Sequence, residues 1–324
     1  MARIIAIASG KGGVGKTTVA LNLGTVLAYY FNKEVILIDC NVTTSHLGMY
    51  LGMYYSPVTL NKVLRGEVSM KEAVYDHFGG MKIVPASLSL SDLEGVDVTK
   101  LREKINLIAD ENEIIFLDAA PGLGRESIAA LKAADEVLFV TTPYVPAVMD
   151  IVRSMEVVNE IGIRPLGIVL NMVEKEKYEM TPQEVEQLTR IPVIASIPFD
   201  KNIHKSLVEK LPVIVFKPNS KASKAFMELS MSLVGYSFEK KSIFSRIADK
   251  LRFRRKRELE VGMPSATLGP DMQTVKTMQS QLQSSQSQMA FPEQRTTILS
   301  QPINQLPIGR PDRPSRPGFP KPEE

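Results

Sequence analysis

Cysteine is all but missing from this chain. Cys40 is the only one in 324 residues, which excludes an intrachain disulfide and any chain-internal cysteine cluster for zinc or iron–sulfur. A lone cysteine of this kind reads as a small core residue, not a redox centre. Histidine is scarce as well: His46, His77 and His204 share no metal-ligand spacing. No apolar run approaches the roughly 20 residues that cross a bilayer. No secretory pattern opens the chain, because an apolar strand and a glycine-rich turn begin almost at Met1. An intracellular, cytoplasmic location is therefore expected. Beyond Leu259 aromatic residues nearly vanish. Residues 260–324 hold only Phe291 and Phe319, together with ten of the 21 prolines and many Gln and Ser. Such a stretch cannot bury enough apolar surface to offset its ordering entropy, so residues 258–324 are expected to be a disordered tail. The end of that tail, Ile308 to Pro317, has a basic, polyproline-like character that suits either partner docking or plain solubilisation.

What is present is concentrated at the start. Ile4-Ile5-Ala6-Ile7-Ala8 is a strand-like run, and it feeds Ser9-Gly10-Lys11-Gly12-Gly13-Val14-Gly15-Lys16-Thr17-Thr18. A helical pattern, Thr18-Val19-Ala20-Leu21-Asn22-Leu23, follows at once. The spacing Gly10-x-x-x-x-Gly15-Lys16-Thr17 is that of a phosphate-binding loop. In such a loop glycines let backbone N–H groups close around phosphates, Lys16 reaches the terminal ones, and the Thr17 hydroxyl ligates magnesium. The helix N-terminus adds a favourable dipole. Strand before and helix after make nucleotide binding the reading of this segment.

Lys11, one place after the first glycine, completes Lys-Gly-Gly-Val-Gly-Lys-Thr-Thr. This resembles the deviant Walker A of the MinD/ParA family of ATPases. The resemblance implies that Lys11 reaches phosphates bound by a second subunit, so that ATP and Mg2+ hold a homodimer together. Val35-Ile36-Leu37-Ile38-Asp39 looks like the strand leading to the family's first switch. Ile114 to Gly122, with Asp118 and Pro121, looks like the Walker B strand and second switch. Gly167-Ile168-Val169-Leu170-Asn171 is similar to the strand whose Asn contacts adenine, and Ile197-Pro198-Phe199-Asp200 to the loop over the purine. The matches run from residue 3 to about residue 235 and lie nearest the MinD branch, its archaeal members especially. The resemblance implies a catalytic set of Lys11, Lys16, Asp39, Asn41 and Asp118. Thr17, Asp39 and Asp118 would organise the metal. Gly10, Lys11, Gly12, Gly13, Val14, Gly15, Lys16, Thr17, Thr18, Asn171 and Pro198 would hold the nucleotide. The single cysteine argues against the iron–sulfur carriers of the same superfamily.

One departure matters. The family's first switch reads Asp-x-Asp, whereas here it is Asp39-Cys40-Asn41. An amide can hydrogen-bond a water but cannot accept its proton at neutral pH. Loss of a general base costs about 10²–10⁴ in rate. Positioning and electrostatics carry most of phosphoryl transfer, however, so slow hydrolysis is expected and not none.

Strand-like runs at 3–8, 34–40, 82–86, 113–118, 136–142, 165–173 and 193–198 alternate with helical patterns. The helices fall near 16–31, 69–78, 99–110, 124–134, 146–161 and 181–189, and a helix over 220–234 closes the domain. Several strands are apolar on both faces. The fold class that follows is α/β, a doubly wound, mainly parallel sheet of P-loop NTPase type spanning 1–236. Met155, Met227 and Met231 fit core-facing positions.

Between domain and tail, residues 237–257 change character again. Ile243, Phe244, Ile247, Ala248 and Leu251 make one helical stripe. Over 239–257, nine Lys/Arg against Glu239 and Asp249 give +7, so the rest of the chain is +3 − 7 = −4. A basic amphipathic helix after a globular domain reads as a membrane-surface anchor, and it resembles the family's C-terminal targeting helix. A helix docked on the body and a nucleic-acid patch are the rivals. A ParA-like DNA- or cargo-positioning ATPase would use the same cations on DNA phosphates, but it needs no apolar stripe. A non-hydrolysing scaffold is the other alternative, motivated by Asn41. A tyrosine kinase of the superfamily is disfavoured, since no tyrosine follows Tyr236.

Burying four large apolar side chains gives on the order of 6 kcal/mol gross. Helix ordering offsets much of that. One copy should bind lipid weakly, and two copies joined by ATP should gain about 10²–10⁴ in avidity. Replacing Ile243 or Leu251 with Glu is expected to abolish co-sedimentation with anionic liposomes while sparing ATP affinity. Deleting 258–324 should leave both intact. Equal recruitment of the Glu variants and the parent would rule the anchor out.

Overall fold

The computed structural model describes residues 2–235. The stripe of Ile243, Phe244, Ile247 and Leu251, the segments 237–257 and 258–324, and their boundaries lie outside the described residues. Within them the alternation of apolar runs and helical patterns becomes eight strands: β1 Arg3–Ala8, β2 Val35–Asp39, β3 Tyr75–Asp76, β4 Lys82–Val84, β5 Ile114–Asp118, β6 Glu136–Thr141, β7 Arg164–Val173 and β8 Val193–Pro198. They form one sheet in the order β3-β4-β2-β5-β1-β6-β7-β8. Every pairing is parallel except β3 with β4.

Because side chains alternate across a strand, each apolar run supplies both faces. Ile4, Ala6, Ile36, Ile38, Ile115, Leu117, Val137 and Phe139 go to one core. Ile5, Ile7, Val35, Leu37, Phe116, Leu138 and Val140 go to the other. The first face is covered by α3 Leu60–Arg65, α4 Leu101–Asn106, α5 Arg125–Ala133, α6 Val145–Ile161 and α7 Pro182–Thr189. The second takes α1 Lys16–Thr25, α9 Val213–Phe216 and α10 Lys221–Leu233, with Val19, Leu23 and Phe226 fully buried. Two further helices, α2 Leu47–Tyr50 and α8 Lys201–Val208, complete the set. Met227 and Met231 pack with Val26 and Ile214, and Met155 is partly buried. Glu136, buried at the start of β6, is neutralised by Arg3 at 2.6 Å and Arg164 at 3.4 Å.

Where periodicity alone failed, tertiary contacts explain why. The helix expected over 69–78 is only a 3₁₀ turn, Lys71–Ala73, followed by the extended pair β3. The Tyr75 hydroxyl is fixed to Val58, accepting from its N–H at 3.0 Å and donating to its carbonyl at 2.9 Å, and this holds the segment at the sheet edge. The helix expected over 99–110 is α4 flanked by two 3₁₀ turns, Val98–Lys100 and Ala109–Glu111. The helix expected over 16–31 is α1 continued by a π-helical turn, Val26–Tyr30. Helices α2, α3, α8 and α9 carried too little periodicity to be read in advance.

The topology also fixes where a ligand belongs. From β1 the chain builds β2, β4 and β5 on one side, then crosses through α5 to build β6, β7 and β8 on the other. The order reverses beside β1, and ligands of open parallel sheets bind beyond the strand carboxyl ends at such a point.

Candidate functional site

Ser9 to Gly15 connects the carboxyl end of β1 to α1, and its conformation depends on what stands behind it. A Cβ on Gly10 would collide with Asp150 of α6. At Gly15, φ is +93°, and a Cβ there would meet the amide nitrogen of Asn171. That nitrogen donates to the Val14 carbonyl at 2.8 Å, so β7 braces the loop from below. Val14 is buried, whereas Lys11, Gly12 and Gly13 are exposed. Lys16 is buried, and its Nζ donates to Ser9 Oγ at 2.8 Å. The Ser9 hydroxyl donates in turn to the Lys11 carbonyl at 2.7 Å. Burial lowers the Lys16 pKa, and the charge of Asp118 works against that shift.

Asp39 and Asp118 end neighbouring strands and are register partners. Both are buried, at 1% and 3% exposure, which is unusual for carboxylates that make no salt bridge among the described residues. Asp39 accepts from Ser45 Oγ at 2.6 Å and from the Asn41 N–H at 3.1 Å. Burial raises it to about 6 against those bonds. Burial, then the neighbouring Asp39 charge, raises Asp118 to about 7, with the Thr17 hydroxyl and Lys16 opposing. Cys40 follows Asp39, buried, with its thiol pushed well up by burial and by Asp39, Asp118 and Glu126. It is a neutral core thiol.

Asn41 is half-buried, and its side chain is closed on its own turn. Its Oδ1 accepts from the Thr44 N–H at 3.3 Å and the Thr44 hydroxyl at 3.0 Å, and its Nδ2 donates to the Thr44 carbonyl at 2.7 Å. Asn171 keeps one buried oxygen, Oδ1, without a partner. Pro198 ends β8, pairing with Val173 of β7, and is half-buried. Phe199 beyond it is partly exposed beside His204. Thr18 is buried in the first turn of α1.

The site is suited to a nucleotide with its metal on two grounds. No side chain caps the N-terminus of α1 and no acid lies in its first turn, so its first N–H groups suit an anion, and Lys16 begins the same helix. Opposite, Asp118 Oδ1 is buried with no hydrogen-bond partner, next to Asp39 and Thr17. A cation there would satisfy it. Among the described residues no cluster of three or more His, Cys, Asp or Glu gathers for a metal. Magnesium takes one or two carboxylates, substrate phosphates and waters, a demand that Asp39 and Asp118 with the Thr17 hydroxyl suit.

Sequence reasoning missed Ser9, Ser45, Asp150 and Glu126. Ser9 lay inside the motif and was readable as a partner for Lys16. The others join the site from a loop or another element and carry no local signal.

The family model described as "CobQ/CobB/MinD/ParA nucleotide binding domain" matches residues 5–213. An uncharacterized ATP-binding protein of Methanocaldococcus jannaschii is 37% identical over 232 residues, 72% of this chain and 88% of that protein. The structure of the cell division ATPase MinD of Pyrococcus furiosus superposes with a TM-score of 0.70 at 32% identity, covering 73% of this chain and 100% of that one. The septum site-determining protein MinD of Pyrococcus horikoshii, complexed with Mg-ADP, gives 0.70 at 30% identity, covering 74% and 100%.

Both carboxyls hold protons more tightly in the folded chain than in the unfolded one. Their contribution therefore favours folding at low pH and is lost as pH rises from about 4 through the raised values. In nucleotide-free protein with chelator, Asp118→Asn should raise the melting midpoint at pH 8 by about 2 °C or more. The gain should fade as the pH falls toward about 4. A lower midpoint for the variant at pH 8 would contradict this account.

Proposed function

This chain belongs to the CobQ/CobB/MinD/ParA nucleotide-binding family, and from that premise we propose an ATP-dependent dimerising switch at the inner membrane surface that recruits or positions other proteins. It is an ATP-binding P-loop ATPase of the MinD/ParA type. The observation that carries the finer reading is the loop's pair of lysines in unlike settings. Lys16 is buried within its own loop, and Lys11 is exposed on the outer side of the same turn. The first suits phosphates held by its own chain, and the second suits a target on another.

Bound magnesium would neutralise charge on the phosphates and order water around them. Thr17, Asp39 and Asp118 are the residues assigned to it, while Gly10 to Thr18 take the phosphates and Asn171 and Pro198 the base. The basic stripe over 237–257 is assigned to lipid. Two such stripes in an ATP-held pair would turn nucleotide state into membrane occupancy. A DNA-positioning role remains the second reading for that segment, and vesicles and duplex DNA assayed in parallel separate the two.

Slow hydrolysis follows from Asn41. Its oxygen is occupied by Thr44, and an amide takes no proton at neutral pH. An aspartate in its place would lose the donor to the Thr44 carbonyl, and repulsion between the two oxygens would turn the carboxylate outward.

Lys16→Ala should abolish ATP binding. Lys11→Ala should keep measurable ATP binding yet lose ATP-dependent dimerisation in analytical ultracentrifugation. A Lys11→Ala protein that dimerises like the parent would remove the cross-subunit role. Asn41→Asp should raise single-turnover hydrolysis at saturating ATP by about tenfold or more. An unchanged or lower rate would mean that Asn41 is not the brake.

A further inference from the structure

We propose that Glu126 is a positioning residue for the first switch: through Thr43 it fixes the 40–46 loop against the helix that follows the second switch. The Thr43 hydroxyl donates to Glu126 Oε1. Most other side-chain ties of this loop are local, running from Asn41 to Thr44 and from Asn41 and Ser45 to Asp39. They shape the turn but attach it only to the end of its own strand. Elsewhere, the Cys40 N–H donates to the Asp118 carbonyl at 3.0 Å, and Asn61 of α3 reaches the Val42 carbonyl at 3.4 Å. Neither bond spans from residues 43–44, the outer part of the loop, to the second switch.

Glu126 is placed for that task. It occupies the first turn of α5, where the helix dipole favours an acid. Ser127, Ala130, Leu131 and Ala133 bury the inner face of that helix. The carboxylate is thus carried on a rigid element and the hydroxyl on a loop, so the helix is the anchor. Among the described residues Glu126 makes no salt bridge, which leaves its oxygens free to accept. Its charge is felt at Cys40 together with those of Asp39 and Asp118, so it belongs to the electrostatics of the same site.

The consequence for chemistry runs through Ser45, two residues after Thr43, whose hydroxyl donates to the Asp39 carboxylate at 2.6 Å. Misplacing a positioning group by about 1 Å can cost about 10²-fold in rate. Glu126 does not contact the reacting atoms on this account. It decides where the loop that does so comes to rest. This second step rests on the ATPase reading, whereas the bridge itself does not.

The test uses the full chain in two states. Without nucleotide, hydrogen–deuterium exchange of the 40–46 amides should quicken about tenfold in Thr43→Val and in Glu126→Ala, the size of effect expected for a hydrogen bond to a charged group. The double variant should be no faster than either single one. Thr43→Ser, which keeps the hydroxyl, should stay near the parent, and Glu126→Gln, which keeps an acceptor oxygen without the charge, should fall between the parent and Glu126→Ala. With ATP, Thr43→Val and Glu126→Ala should lose about tenfold in kcat, with ATP affinity unchanged, and the double variant should lose no more. Unchanged exchange in Glu126→Ala, or losses that multiply in the double variant, would overturn the bridge. A Glu126→Ala enzyme as fast as an active parent would overturn the consequence for hydrolysis. If exchange behaves as expected but the parent binds no ATP, the ATPase reading fails and the bridge stands.

Discussion

Two carboxylates stand side by side at the ends of adjacent strands, almost wholly out of water, with a buried lysine nearby. Such a pair is costly to hold, because burial and mutual repulsion both oppose ionisation. Asp39 and Asp118 tolerate it because neighbouring groups share the load. Ser45 and the Asn41 N–H bond the first, and Thr17 and Lys16 face the second. The parallel sheet makes this possible. Its register sets Asp39 opposite Asp118, and the β1 register sets Ile7, two residues before Ser9, opposite Asp118 as well. A chain able to bring a doubly charged cation and phosphates to this corner would relieve the strain that its own fold imposes.

The functional corner was legible in the sequence to the extent that it was local. The phosphate loop, its strand and its helix are contiguous, so ten residues disclosed their geometry. The strands bearing Asp39 and Asp118 were legible because apolar runs on both faces admit few other structures. The edge at 69–78 was not, since a single tyrosine hydroxyl reaching back to Val58 outweighed local helical preference. Asn41 shows a different limit. Its identity revealed a missing carboxylate, but not that its amide is spent on closing a turn with Thr44. Glu126 was invisible for a third reason: it acquires meaning only through Thr43, a partner on another stretch of chain.

The two loops that follow Asp39 and Asp118 differ in mechanical character. The first is a short loop whose turn is closed by its own side chains and whose outer part meets α5 through one hydroxyl. The second runs directly into a helix packed on the sheet. An event that alters the second moves a rigid body, whereas one that alters the first reshapes a loop. The Thr43–Glu126 contact is where these two kinds of motion meet.

The brace beneath the phosphate loop has a kinetic meaning. With Asn171 holding the Val14 carbonyl and Asp150 filling the space beside Gly10, the cradle stands ready before anything enters it. An arriving anion does not wait for the turn to fold around it. Capture is then limited by encounter and by the shedding of water, and the energy of seating the phosphates remains available to move the loops above them.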